Sequence, residues 1–175
     1  MKKIISLVAS LTVISAVCAG VLAYVDSITK GPIADMKVTQ ANAAAKEVMP
    51  AGVEKVAEKD GVYVGTDASG KVVGYATKGR DAGGYGGDVV LMVGFAADGK
   101  TLVRYRKLEA NETPGLGSKL STPEFSGQFS GKDASRPLSV KKDGGDIEAI
   151  TSATITSRAV CRAVNDAQKR LAAGK

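Results

Sequence analysis

The chain contains no histidine and no tryptophan, and only two cysteines among its 175 residues. Without histidine, no His-based catalytic triad, no histidine metal site and no His-ligated haem can be built from this chain alone. Cys18 and Cys161 lie far apart and form no C-x-x-C pattern, so neither a zinc knuckle nor an iron–sulfur cluster is supported. Cys18 falls in an apolar run and Cys161 in a helical pattern, and each reads as a small packing residue. No metal site is expected.

Lysine and arginine outnumber aspartate and glutamate by 24 to 18, a net charge of +6, yet the basic residues are scattered. Nucleic-acid binding requires a basic stripe or cluster, so no nucleic-acid partner is expected. Carboxylates and lysines are plentiful, but none stands at a spacing that marks an acid–base dyad, and no catalytic residue is assigned.

Ile4 to Tyr24 carries no charge and reaches the roughly 20 residues that cross a bilayer as a helix. Lys2 and Lys3 precede the run and Asp26 follows it. The positive-inside tendency then places the amino terminus in the cytoplasm and the rest outside, as a single-pass protein of the cell (inner) membrane. Val21-Leu22-Ala23 leaves a cleaved signal peptide open as the competing reading. Either fate puts the remaining chain on the same side.

Thr29-Lys30-Gly31-Pro32 punctuates the chain, after which Val38, Ala41, Ala45 and Val48 recur at helical spacing until Pro50-Ala51-Gly52. Residues 1–28 thus read as stub and anchor, 29–50 as a connecting helix and 51–175 as one extracytoplasmic domain. Within that domain Val62–Gly65 and Val72–Ala76 flank the turn-rich Asp67-Ala68-Ser69-Gly70, and Asp98-Gly99-Lys100 joins Val89–Phe95 to Leu102–Leu108. Such hairpin spacing predicts an antiparallel sheet with the apolar Val89–Phe95 near its centre. Leu102, Arg104, Arg106 and Leu108 are expected on one face of the last strand, Val103, Tyr105 and Lys107 on the other. Phe125 and Phe129 could anchor a short helix. A final helix over about 156–173 has the apolar stripe Val160, Val164, Ala167 and Leu171. The fold class is α+β.

Three segments have compositions that packing alone explains poorly. Ala82-Gly83-Gly84-Tyr85-Gly86-Gly87 places four glycines around a tyrosine, as in a flexible hairpin loop or a backbone that must approach something closely. Asn111-Glu112-Thr113-Pro114-Gly115-Leu116-Gly117 contains the centre of a type II turn at Pro114-Gly115. Thr151, Ser152, Thr154, Thr156 and Ser157 crowd hydroxyls before the last helix, where capping needs one. A helix amino terminus with small hydroxyl residues suits a phosphate, although a plain N-cap remains open.

In their order and spacing these segments resemble the FMN-binding domain family. Within it, the chain is similar to the G subunits of Rnf electron-transport complexes and to the C subunits of sodium-pumping NADH:quinone reductases. The matching stretches are Thr29-Lys30-Gly31-Pro32-Ile33-Ala34 after the anchor, Gly84-Tyr85-Gly86-Gly87, Glu112-Thr113-Pro114-Gly115-Leu116-Gly117, and Asp146 to Ser157. The family attaches FMN through its phosphate to the last threonine of an Asp-x-x-Ser/Thr-Gly-Ala-Thr pattern. Here that pattern falls on Glu148 to Thr154, with Glu148 in place of the aspartate and Ser152 in place of the glycine.

The resemblance implies covalent FMN on Thr154, with Tyr85, Glu112, Thr113, Leu116, Gly117, Thr151, Ser152 and Ala153 around it. It implies a flavin transferase for maturation, and membrane and peripheral partner subunits of an Rnf-type complex that couples ferredoxin–NAD electron flow to ion movement. At position 152 it implies positive φ or a close approach. Noncovalent FMN, a stand-alone extracytoplasmic flavoprotein reductase and a noncatalytic exported phospholigand-binding module are the alternatives.

Overall fold

The computed structural model describes residues 2–112, 115 and 117–174, with Lys2 by its backbone alone. Residues up to Thr39 form one compact unit and residues from Gln40 onward a second.

The apolar run and the alanine-rich stretch after it belong to one helix, α1 (Lys2–Val48), with Pro32 inside it. The predicted break at Thr29–Pro32 does not occur. A proline removes one N–H and crowds the preceding turn, but it ends a helix only when its neighbours do not carry on. Here Ala34, Met36 and Lys37 are good helix formers. Ser27 and Thr29 turn their hydroxyls back onto the Tyr24 and Val25 carbonyls, each at 2.8 Å. In the first unit Leu7, Leu11, Ile14, Val17 and Leu22 stand exposed. By length and composition α1 can cross a membrane, where such a surface would meet lipid rather than water.

The second unit is built on a five-stranded antiparallel meander, β1 (Lys55–Lys59), β2 (Val62–Thr66), β3 (Val72–Gly84), β4 (Gly87–Ala96) and β5 (Leu102–Ala110), in that spatial order. The turns follow their sequence signals. The Asp67 carboxylate accepts from the Ser69 and Lys71 amides, and Asp98 from those of Lys100 and Thr101. Beyond β5 the chain makes a short helix, α2 (Pro123–Ser126), flanked by 3₁₀ turns, and ends in α3 (Thr154–Ala173).

The apolar strand read as central is β4, the fourth of five, and β3 occupies the middle. The reason is burial on both faces. Val89, Leu91, Val93 and Phe95 join α3 in the main core, while Met92 packs on Ala41, Ala44, Ala45 and Val48 at the end of α1. An unbroken apolar run therefore reports two covered faces, not a central position. The expected stripe of α3, Val160, Val164, Ala167 and Leu171, is buried throughout, each valine and the leucine contributing about 1.5–3 kcal/mol. Burial pushes the Cys161 thiol up to about 12, so it serves as a packed, unreactive group.

The faces of β5 differ from simple alternation. Gly94 pairs with Arg104 but Phe95 with Leu102, so one extra residue bulges out and Leu102 shares the main core with Tyr105. Tyr105 holds the following loop in place. Its ring meets Phe129 edge-on at 5.1 Å, Phe129 meets Phe125 at 5.6 Å, and its hydroxyl donates to the Leu120 carbonyl. That packing fixes the start of the 117–129 segment, which borders the cleft described next.

Candidate functional site

The three unusual segments converge. A cleft of about 420 Å³ opens where the β3–β4 hairpin, the end of β5 and the start of α3 meet. From the hairpin comes Tyr85, from the stretch after β5 come Glu112 and Gly117, and from the α3 side come residues 152 to 156.

The hairpin wall is backbone against backbone. A Cβ on Gly86 would overlap the Asn111 carbonyl, so only glycine lets β3–β4 lie this close to the end of β5. Gly117 does the same for Glu112, because a side chain there would collide with the carboxylate. Glu112 is thus wedged in place. Its Oε2 accepts a 2.7 Å hydrogen bond from Thr156 Oγ1, and its buried Oε1 has no partner among the described residues. A buried carboxylate oxygen without a donor is costly, and its natural complement is a donor on a bound molecule.

The α3 wall begins with an N-cap, Ala153, that has no side chain able to cap the first turn, and no acidic residue lies in that turn. The first amides of the helix are therefore left for a ligand. Ser157 instead ties the preceding segment together, accepting from the Ile150 amide and donating to the Ala153 carbonyl, both at 2.9 Å. Ser152 takes φ +62°, the left-handed region that glycine adopts freely. Thr154 is half-buried, and its hydroxyl makes no hydrogen bond among the described residues. Thr156 is buried and committed to Glu112. Two threonines on one turn thus present very different hydroxyls.

Of the residues singled out in the sequence, Tyr85, Glu112, Gly117, Ser152, Ala153 and Thr154 all line this cleft. Thr113 and Leu116 lie outside the described residues. Thr151 lines a second, more polar cleft of about 340 Å³ together with Lys119, Gln128 and Glu148. Glu148 is exposed, and the Lys141 ammonium 2.5 Å away holds its carboxyl below the usual value. The attachment-like pattern is therefore divided, with residues 148–151 turned to one cleft and 152–154 to the other.

The sequence marked Thr156 only as one of the crowded hydroxyls, and it did not mark Ile155 at all. For Ile155 the signal was a large aliphatic among small hydroxyl residues. Outside α1, the exposed large hydrophobics among the described residues are Tyr85, 71% exposed, and Ile155, 49% exposed, and both border this cleft. An uncapped helix start, a free threonine hydroxyl and two exposed apolar side chains fit a ligand with a phosphate at one end and a flat apolar ring at the other.

The FMN-binding domain model matches residues 84–169, a span that contains the cleft-lining residues of all three segments. Among relatives, the chain is 36% identical to the G subunit of the ion-translocating oxidoreductase complex of Methanosarcina acetivorans, over 95% of this chain and 93% of that protein. It is 38% identical to the G subunit of the Na(+)-translocating ferredoxin:NAD(+) oxidoreductase complex of Acetobacterium woodii, over 94% and 89% respectively. Among solved structures it resembles the C subunit of the Na(+)-translocating NADH-quinone reductase of Parabacteroides distasonis, with a TM-score of 0.51 and 28% identity, over 63% of this chain and 61% of that one. With identity at this level over nearly its whole length, the chain belongs to the G-subunit family of ion-translocating oxidoreductase complexes and carries that family's FMN-binding domain.

Proposed function

We propose that the cleft holds FMN joined through its phosphate to Thr154 Oγ1, and that the chain relays electrons within a membrane-bound ion-translocating ferredoxin:NAD oxidoreductase. The observation that carries this reading is the contrast on the first turn of α3. The Thr154 hydroxyl borders the cleft unengaged, whereas the Thr156 hydroxyl is buried and bonded to Glu112. FMN, when bound, supplies the one- and two-electron chemistry.

The chain's own residues hold and orient it. The first amides of α3 and the positive end of its dipole face the phosphate. Glu112 Oε1, buried and unpartnered, accepts a hydrogen bond from the cofactor. Tyr85 and Ile155 give apolar contact at the mouth and exclude water from one side of the ring. Ser152 and Ala153 keep the approach to Thr154 open to a flavin transferase.

The ferredoxin:NAD reaction of the whole complex follows that of the Acetobacterium woodii relative. In this reading α1 crosses the membrane with the amino terminus in the cytoplasm and the cleft on the far side. Its Ile4–Tyr24 run holds no charge, so the ion path belongs to partner subunits.

The test is expression of the full chain with and without a flavin transferase, followed by denaturation, in-gel flavin fluorescence and intact mass. Transferase-dependent fluorescence with one added FMN mass is expected, and Thr154→Ala should abolish both. Fluorescence that survives Thr154→Ala would move the bond, with Thr156 as the next position to replace. Absence of flavin from every sample would overturn the carrier reading.

A further inference from the structure

We propose that Arg162 is a positioning residue for the cleft, gripping the β3–β4 hairpin so that Tyr85 stands over the first turn of the helix bearing Thr154. The inference rests on the FMN reading above for its purpose, but its geometry is independent of any cofactor.

Tyr85 sits at a hairpin tip that the sheet does not hold firmly. Asp81 pairs with Val89 and Gly84 with Gly87, and between these pairs the register shifts, leaving Ala82 and Gly83 outside the regular ladder. A bulge of this kind re-aims the tip and needs other partners for its backbone. Arg162 and Asp81 supply them. Asp81 Oδ1 accepts from the Gly83 amide at 2.9 Å, and Arg162 Nη2 donates to the Gly83 carbonyl at 3.3 Å. Arg162 also binds Asp81 bidentately, Nε to Oδ2 and Nη2 to Oδ1, both at 2.8 Å. Both backbone groups of Gly83 are thus held by one guanidinium–carboxylate pair.

The Arg162 side chain is half-exposed, but the carboxylate it grips is withdrawn from water. The Asp81 side chain is only 17% exposed, and a planar fork meeting a carboxylate along two bonds fixes orientation as well as distance. The grip matters because of where it is anchored. Arg162 follows Thr154 by eight residues on α3, roughly 12 Å along a helix rising 1.5 Å per residue. One rigid element therefore carries the attachment residue at its start and the hairpin's anchor two turns later. The spacing between Tyr85 and Thr154 is set through that single helix, and Tyr85 is held as an aromatic wall against a ring tethered at Thr154.

The experiment uses the full chain in detergent. In the Thr154→Ala background, amide hydrogen exchange of residues 82–87 reads the grip without flavin. Arg162→Ala should speed exchange there at least tenfold, Arg162→Lys should fall between, and amides at the centre of β4 should hold their rate. Unchanged exchange at 82–87 overturns the proposal. In flavin-loaded protein, stacked tyrosine quenches flavin emission by donating an electron to the excited ring. Tyr85→Ala should raise the emission yield several-fold, and Arg162→Ala should recover a large part of that rise with the flavin mass unchanged. A yield that stays at the wild-type level in Arg162→Ala, despite faster exchange, overturns the link to Tyr85. If Arg162→Ala fails to fold, Asp81→Asn removes one charge of the pair at constant size and is read in the same two ways. Missing flavin mass on denatured wild-type protein would indict the FMN reading instead, leaving the exchange result to judge the grip.

Discussion

The hairpin wall of the cleft and the helix wall enclose the same space by opposite means. On the hairpin side Gly86 lies on the Asn111 carbonyl and Gly117 on the Glu112 carboxylate, with no room for a methyl group. On the helix side the residues are small but carry side chains. There Thr154 keeps an unengaged hydroxyl, and Ser152 accepts a backbone conformation that glycine would take more readily. One wall is defined by what it cannot admit, and the other leaves reactive groups within reach. The left-handed Ser152 and the unengaged Thr154 hydroxyl lie on the second wall, where chemistry is proposed, while the first supplies a fixed shape and the unpartnered Glu112 Oε1.

The most forceful way to break this contrast is Gly86→Ala. The added methyl overlaps a backbone carbonyl that has no rotamer to yield, and overpacking of this kind costs about 1–3 kcal/mol or more. Thermal melts should show clear destabilisation, and flavin loading should fall. Wild-type stability would show that the hairpin wall is soft after all.

A smaller effect is expected at the seam between the walls. Thr156→Val removes the donor to Glu112 and leaves a half-buried carboxylate without its partner, a loss of about 1–3 kcal/mol in urea unfolding. Adding Glu112→Gln should make the double variant less unstable than the sum of the singles, because the two groups act on each other. Additive losses would mean that the hydrogen bond does not join the walls.

The smallest change sharpens the comparison from the other side. Ser152→Gly relieves a left-handed conformation worth roughly 1–2 kcal/mol for a side-chain-bearing residue and incurs roughly 0.5–1 kcal/mol of glycine entropy. A slight rise in melting temperature is expected. A fall would show that the serine side chain contributes to the segment rather than straining it.

Much of this architecture was legible in the sequence where burial writes a simple period. The stripe of α3 and the apolar run of β4 both follow from one or two covered faces. β1 was missed because Lys55, Glu58 and Lys59 leave only Val56 half-buried. β3 extends to Gly84 through Lys78, Arg80 and Asp81, polar residues that hide a strand held by partners distant in sequence. The cleft was legible as composition, since glycine and hydroxyl crowding marks backbone that must be approached closely. Its internal division was not. That Thr151 turns away, that Thr156 is spent on Glu112 and that Arg162 reaches Asp81 all depend on side-chain directions fixed only by the fold.

The overlooked strand has a consequence of its own. β1 ends the sheet, so its outer side offers amide and carbonyl groups that a second chain could pair with. It is five residues long and four of them are exposed, three of those charged. Short, charged edge strands discourage sheet-to-sheet addition. That polarity guards the edge against self-adhesion, which a well-patterned apolar edge would have invited.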